Sequence, residues 1–332
     1  MYRTNAPDTD HALDRNIPSP VAADIATEDE YFRAHPAPTY LPHIHRQVKQ
    51  FAEFHVERPI AIITSGGTTV PLENNTVRFI DNFSAGTRGA TSAEEFIAAG
   101  YAVIFIHREF SLLPYSRHYS HSTNCFLDFL DERPNGEVVV KDTFLPAMHD
   151  VLKEYTKVKQ QNLLLNIPFT TVNQYLYTLR TVASTVSPIA GARALFYLAA
   201  AVSDFFVPQS KISEHKIQSK GTSSLVIELD PVPKFLRRLV EQWTPDAMVV
   251  SFKLETDKSI LLTKCHQALQ RYGHQLVIGN LLQTRKNEVV LVDEQTETWV
   301  RLSEQQQHDH VAIESVFIPV IVEMHAKMLK SL

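Results

Sequence analysis

The chain has 332 residues, 44% of them hydrophobic, enough to bury a large core in one big domain or two smaller ones. A formal net charge of -5 argues against a broad nucleic-acid footprint and leaves room for a local basic pocket only. No run of about 18 consecutive apolar residues is present to span a bilayer, and two cysteines, Cys125 and Cys265, are too few for a disulfide framework.

Residues 1 to about 40 are rich in Pro, Asp and Ala, show no apolar signal core, and predict an extended or disordered arm. From there to residue 332 the pattern predicts a single α/β domain. In "LPHIHRQVKQFAEFHVER" the residues Ile44, Val48, Phe51 and Phe54 fall near helical spacing. "PIAIITS" is a short β-branched run of the kind found in a buried parallel strand. "GATSAEEFIAAG" predicts a helix stopped by Gly100, and "YAVIFIH" the next strand, so the three form a right-handed βαβ unit.

Residues 108 to 192 read as a mostly helical insertion between sheet strands, with amphipathic "FLPAMHDVLKEYTKVKQ" and "TVNQYLYTLRTVASTVSP". The alternation resumes with "ALFYLAAAV" as strand, "PVPKFLRRLVEQW" as helix and "AMVVSFKL" as strand. "DKSILLTKCHQALQRYG" is a further helix, with Cys265 on its apolar face as a buried structural thiol, and "HQLVIGN" a further strand. "NEVVLVDEQTETWVRL" predicts a hairpin turning at Asp293–Glu294, and a closing helix from 303 is started or kinked by Pro319. The fold class is a doubly wound, mostly parallel Rossmann-like α/β sheet with flanking helices, the helical insertion and a flap at about 207–230.

Four stretches carry candidate chemistry. After the first strand, Ser65-Gly66-Gly67-Thr68-Thr69 forms a sharp turn whose backbone N–H groups and hydroxyls suit an anion. Ser84-Ala85-Gly86-Thr87-Arg88-Gly89 then opens a helix, and helix N-termini suit phosphate. In "LAAAVSDFFVP" a strand running into Ala199-Ala200-Ala201 leaves space for a ligand, with Asp204 at the rim. "SEHKIQSK" puts lysines on a loop, ahead of strand-like "SLVIEL", that can fold over phosphates and neutralise developing charge.

Together with "SFKLETD" and "VIGNLLQTRKNEV", these stretches resemble the phosphopantothenate–cysteine ligase family of coenzyme A biosynthesis, in its eukaryotic stand-alone form, from about residue 58 to 330. The departures are local: Thr69 stands where relatives often carry lysine, and residues 145 to 190 show no family motif. The resemblance implies a homodimeric ligase dependent on ATP or CTP, using Mg2+ on the nucleotide phosphates and joining 4'-phosphopantothenate to L-cysteine. It implies that Asn82 contacts the pantothenate carboxyl and stabilises the activated intermediate, as a carboxamide can by donating to an oxyanion. By the same match Lys216 is the flap lysine, Ala200, Ala201 and Asp204 line the phosphopantothenate site, and Arg78 reaches the substrate phosphate from the neighbouring subunit. Gly66, Ser84, Gly86, Gly89, Phe252 and Asn280 match nucleotide-binding positions, and Lys253, adjoining Phe252, is expected to contact nucleotide phosphate. The expected setting is the cytoplasm, possible entry to the nucleus included; ATP against CTP and membership of a larger pathway assembly stay open.

Two other readings fit the sequence less well. Tyr155 and Lys159 stand at the Y-x-x-x-K spacing of a nicotinamide-dependent reductase, but no G-x-G-x-x-G follows the first strand and His107 and Arg108 close the second where an acid is needed. A non-catalytic regulatory or scaffold subunit is disfavoured by retention of Asn82 and Lys216. His118, His121 and Cys125 fall within eight residues but lack a fourth ligand for structural zinc, and read as surface polar residues.

Overall fold

The computed structural model describes residues 20–120, 126–218 and 224–331. The apolar runs become strands β1 (Ile60–Ser65), β2 (Ala102–Arg108), β3 (Leu164–Phe169), β4 (Ala194–Leu198), β5 (Met248–Glu255) and β6 (Leu276–Leu281), all parallel to one another. A hairpin of β7 (Glu288–Val292) and β8 (Glu297–Arg301) adds antiparallel to β6. The order across the eight-stranded sheet is β8-β7-β6-β5-β4-β1-β2-β3.

The helices are α1 (Pro20–Ala34), α2 (Leu41–Phe54), α3 (Thr87–Ala98), α4 (Leu145–Gln160), α5 (Val172–Ala190), α6 (Lys258–Tyr272) and α7 (Glu314–Lys330). β1 is buried on both faces, which is why its sequence shows no polar alternation. Ile60 and Ile62 pack with α1, α2 and α5, whereas Ala61 and Ile63 pack with α3, α4 and α7. Each fully buried aliphatic side chain contributes roughly 1.5–3 kcal/mol, so this central strand anchors both layers. On the α2 side, α6 seals the edge over β6 and β7 through Leu261, Cys265 and Leu269. Burial pushes the Cys265 thiol up to about 12, as expected of an inert core cysteine. Among the described residues no helix is long and apolar enough to cross a membrane.

Several expectations need correction. The predicted arm carries helix α1, whose Tyr31 and Phe32 are buried against Phe235 and Trp243; residues 1–19 lie outside the described residues. Residues 108–192 are not an insertion between strands, because β3 pairs with β2 at the sheet edge and α5 covers the central strands. β3 tolerates Pro168 because an edge strand leaves one row of N–H groups unpaired. The strand leading into "LAAAV" ends at Leu198, so the alanines form the turn beyond it. "SLVIEL" forms no strand within its described residues; only Asp230–Pro231 pairs, with Phe205–Phe206, making the stem of the flap. The helix expected over 231–243 shrinks to Leu236–Arg238 followed by a π turn, Leu239–Trp243. The closing segment divides into a short helix, Glu304–His308, and α7, with Pro319 inside the latter rather than at its start.

Candidate active site

From β1 the chain winds outward through β2 and β3, then returns to β4 on the other side of β1 and winds outward again through β5 and β6. The carboxyl ends of β1 and β4 therefore flank the topological switch point, where open α/β sheets bind ligands. Two of the candidate stretches meet there. Ala201 N donates to Gly66 O at 2.8 Å and Thr68 N donates to Ala201 O at 3.0 Å. Ser203 N donates to Thr68 Oγ1 at 2.9 Å, and Ala200 N donates to Thr64 Oγ1 at 3.2 Å. The N–H groups of Ala200 and Ala201 thus tie the turn after β4 to the turn after β1.

Gly66 has a φ of +82°, and a Cβ there would meet Arg108 Cβ at 2.7 Å, so both backbone and space demand glycine. The next turn folds back through a two-stranded ribbon, Thr69–Pro71 paired with Phe79–Asp81, which delivers Asn82 to Gly67. Asn82 N donates to Thr68 O at 3.2 Å, while its carboxamide makes no hydrogen bond among the described residues. Beside it, Arg108 pairs with Asp81.

Helix α3 begins next to the same crevice. Its N-cap, Gly86, is left-handed and supplies no side chain to cap the first turn, so the helix end stays available to an anion. Ser65 Oγ donates to Gly86 O at 3.0 Å. A Cβ on Gly89 would lie 2.4 Å from that same hydroxyl, so Gly89 allows α3 to lie close against β1. Ser84 is half-buried, and its hydroxyl has no hydrogen-bond partner among the described residues.

Across β4, Phe252 stands edge-on to buried Tyr197, with ring centroids 5.0 Å apart. Strand alternation puts Phe252 and Asn280 on the sheet face covered by α3 and α7, since Val250 and Ile278 pack there. Lys253 alternates to the opposite face, toward Cys265, and pairs with Glu255 at 3.7 Å, so it is not gathered with Phe252. Arg88, which lay unsingled in the sequence motif, closes the Phe252 side. Its guanidinium carbon is 5.6 Å from the Phe252 centroid, and it bonds Glu314 at 2.9 Å and Arg285 O at 2.6 Å. No periodicity could announce it, because its partners come from residues about 200 positions away.

The flap is tied to the same ribbon. Glu73, fully buried, accepts hydrogen bonds from Arg78 N at 2.9 Å, Val77 N at 3.2 Å, Arg78 Nη1 at 3.1 Å and Ile217 N at 3.3 Å. Burial opposes ionisation of this carboxyl, but the bonded N–H groups and the guanidinium outweigh it and hold it below its usual range. Arg78, expected to reach a neighbouring subunit, here bonds within its own chain, to Glu73 and Ile217 O. Lys216, one residue before Ile217, is exposed, and its ammonium has no ion pair among the described residues. Asp204 is exposed at the flap stem and paired with Lys234 at 2.6 Å, a partner the sequence offered no reason to choose.

The remaining candidates stay outside this arrangement. Tyr155 lies on α4 against the Tyr115 ring, 5.9 Å between centroids. His118 bonds Glu94, which also holds Arg117, while His121 and Cys125 lie outside the described residues. Among the described residues no three His, Cys, Asp or Glu side chains gather closely enough to hold a metal ion.

The family pattern described as the DNA/pantothenate metabolism flavoprotein C-terminal domain matches residues 149–316. A phosphopantothenate–cysteine ligase of Saccharomyces cerevisiae, CAB2, is 49% identical, over 98% of this chain and 94% of its own. The phosphopantothenate–cysteine ligase of Homo sapiens is 42% identical, over 82% of this chain and 88% of its own. A solved structure of a Cab2 mutant in complex with phosphopantothenate-cysteine superposes with a TM-score of 0.84 at 52% identity, covering 92% of this chain and 99% of that one.

Proposed function

The chain belongs to the phosphopantothenate–cysteine ligase family, and on that premise we propose that it joins the carboxyl of 4'-phosphopantothenate to the amine of L-cysteine at the crevice between β1 and β4. A carboxylate is a poor acyl donor because its leaving oxygen would carry full charge. In the proposed reaction the carboxylate oxygen attacks the α-phosphorus of ATP or CTP, pyrophosphate leaves, and an acyl-nucleotide mixed anhydride forms. The cysteine amine then attacks the activated carbonyl, the amide bond forms, and the nucleoside monophosphate departs with loss of one amine proton.

The observation that carries this reading is the carboxamide of Asn82, unpartnered among the described residues, beside the bonded turns at the switch point. Such a group is free to donate to the carbonyl oxygen as negative charge develops, with no prior bond to break. Lys216 supplies an ammonium, without an ion pair among the described residues, from a flap anchored to the ribbon that carries Asn82. Its role in this reading is to neutralise charge in acyl transfer. The uncapped start of α3, with Ser84 and Gly86, receives nucleotide phosphate, and Phe252 with Asn280 flanks the base and sugar. Gly66 and Gly89 serve by shaping those turns, and Lys253 takes no part in this arrangement. Ala200, Ala201 and Asp204 border phosphopantothenate.

In this reading Mg2+ arrives on the nucleotide phosphates rather than on a protein site. The ion would offset phosphate charge there. A homodimer is supported by Val77, Phe79 and Phe83, which are 55%, 50% and 95% exposed and flank Arg78 on the ribbon and just beyond it. The test is purified protein supplied with phosphopantothenate, cysteine and ATP or CTP in turn, following pyrophosphate. Release that requires the acid and one nucleotide, with product formation requiring cysteine, supports the reading. Silence with both nucleotides refutes it.

A further inference from the structure

We infer that Glu73 is a positioning residue for Lys216, its carboxylate fixing the base of the flap at Ile217 while the main chain of Asn74 and Asn75 holds Ser213 and Glu214 before it; the inference rests on the role proposed for Lys216.

The segment before Lys216 is held by main chain. Asn74 N donates to Ser213 O at 2.9 Å and Asn75 N donates to Glu214 O at 3.1 Å, an isolated parallel bridge centred on Glu73 and Ser213. Side chains repeat the contact, with Asn75 Nδ2 donating to Glu214 O at 3.0 Å and Asn74 Nδ2 donating to Glu214 Oε2 at 2.7 Å. The segment after Lys216 is held by charge. Ile217 N donates to Glu73 Oε1, and Arg78 Nη1 bridges Glu73 Oε1 and Ile217 O at 3.1 and 2.9 Å. Lys216 itself is exposed between these two anchors.

A fully buried carboxylate is costly unless bonded on several sides. Every bond Glu73 makes runs either to its own loop or to the flap, so this carboxylate has a structural task that ends at Ile217. Its amide isostere would turn an NH2 toward groups that are themselves donors and would remove the anion that balances Arg78. The flap base should then loosen while the sheet beneath it does not.

The experiment uses the full-length chain carrying Glu73→Gln, Lys216→Ala or both, with hydrogen exchange and steady-state kinetics on each. Exchange at residues 213–218 should rise about tenfold in Glu73→Gln, the scale of one lost charge-assisted hydrogen bond, with amides of β1 and β4 unchanged. Turnover should fall by about tenfold or more with little change in the nucleotide KM, and the substitution should add no further loss in the Lys216→Ala background. Parental exchange at 213–218 overturns the inference alone. So does an equal loss of turnover in both backgrounds, which is the mark of general destabilisation. Parental turnover by Lys216→Ala removes the role of Lys216 and the inference with it, and the exchange data tell that outcome from the first. Should Glu73→Gln fail to fold, Glu73→Asp keeps the charge but draws it back from Ile217 N, and is read by the same two measurements with the same outcomes.

Discussion

A methyl group on Gly67 would lie 1.7 Å from the carbonyl oxygen of Asn82. The turn after β1 and the residue that carries the free carboxamide are therefore in backbone contact, and the position of one is set by the absence of a side chain on the other. Gly67→Ala cannot be absorbed by a rotamer change, because the obstructing atom is main chain. We expect destabilisation of about 1–3 kcal/mol, as for overpacked sites, together with a loss of ligation larger than that destabilisation explains below the unfolding transition. Urea unfolding alongside the rate of product formation separates the two; parental activity in a folded variant would show that the placement of Asn82 is unimportant.

Asn82→Asp replaces a donor with an anion at nearly the same volume. Ligation should slow by about 10²–10³-fold, the usual cost of removing one oxyanion donor, while the thermal transition stays close to that of the parent. Near-normal product formation by this variant would falsify the role assigned to the carboxamide.

Lys216→Gln keeps the length of the side chain and removes its charge. Turnover should drop more than nucleotide affinity, because the ammonium acts on charge that develops during transfer. Equal losses in kcat and in binding would reduce Lys216 to an ordinary contact.

His274 makes stability depend on acid. Burial pushes its imidazole down to about 4, from 6.5 when free, while Nε2 shares a 2.7 Å hydrogen bond with Ser251 Oγ. Between those values the unfolded chain binds a proton that the folded chain refuses, so stability falls as the pH is lowered through that window and levels off below it. The contribution is about 3 kcal/mol at 1.36 kcal/mol for each unit of pKa. His55, His107 and His325 are shifted the same way by burial and add to the slope. Denaturation at pH 7, 5.5 and 4 should show a shallower decline for His274→Asn than for the parent; identical slopes exclude this source.

Phe79 and Phe83 bear on assembly. If two copies meet at the ribbon, Phe79→Ser with Phe83→Ser should give a monomer in sedimentation equilibrium at micromolar protein, with ribbon exchange rising. A monomeric parent, or an undisturbed dimer in the double variant, places the interface elsewhere or nowhere.

The legible parts of the site were those in which function is written locally. Gly66-Gly67, the α3 start at Gly86 and the strand-to-turn passage at Ala200-Ala201 each declare a backbone event within a few residues, and the fold brings the first and third into direct hydrogen bonding. Illegible parts were pairings at long separation: Arg88 with Arg285 O, Lys234 with Asp204, and Glu73 with Ile217. Strand β3 was a different kind of miss. Its burial alternates along Asn166, Ile167, Pro168 and Phe169, a period-two signal hidden between two strongly amphipathic helices. Lys253 adjoins Phe252 in sequence but not in the site, because adjacent residues on a strand point to opposite faces.

Apart from α1, β3 and the flap, the order of the main strands and helices and the glycine turns after β1 were already present in the string of residues, because helix and strand periods and steric demands of a turn act over short spans. Which turns share one crevice, which face of β5 looks toward α3, and how the flap is fastened beside Lys216 were settled only by folding. Those outcomes depend on contacts between segments more than a hundred positions apart, such as Glu73 with Ile217, for which no local spacing exists to be read.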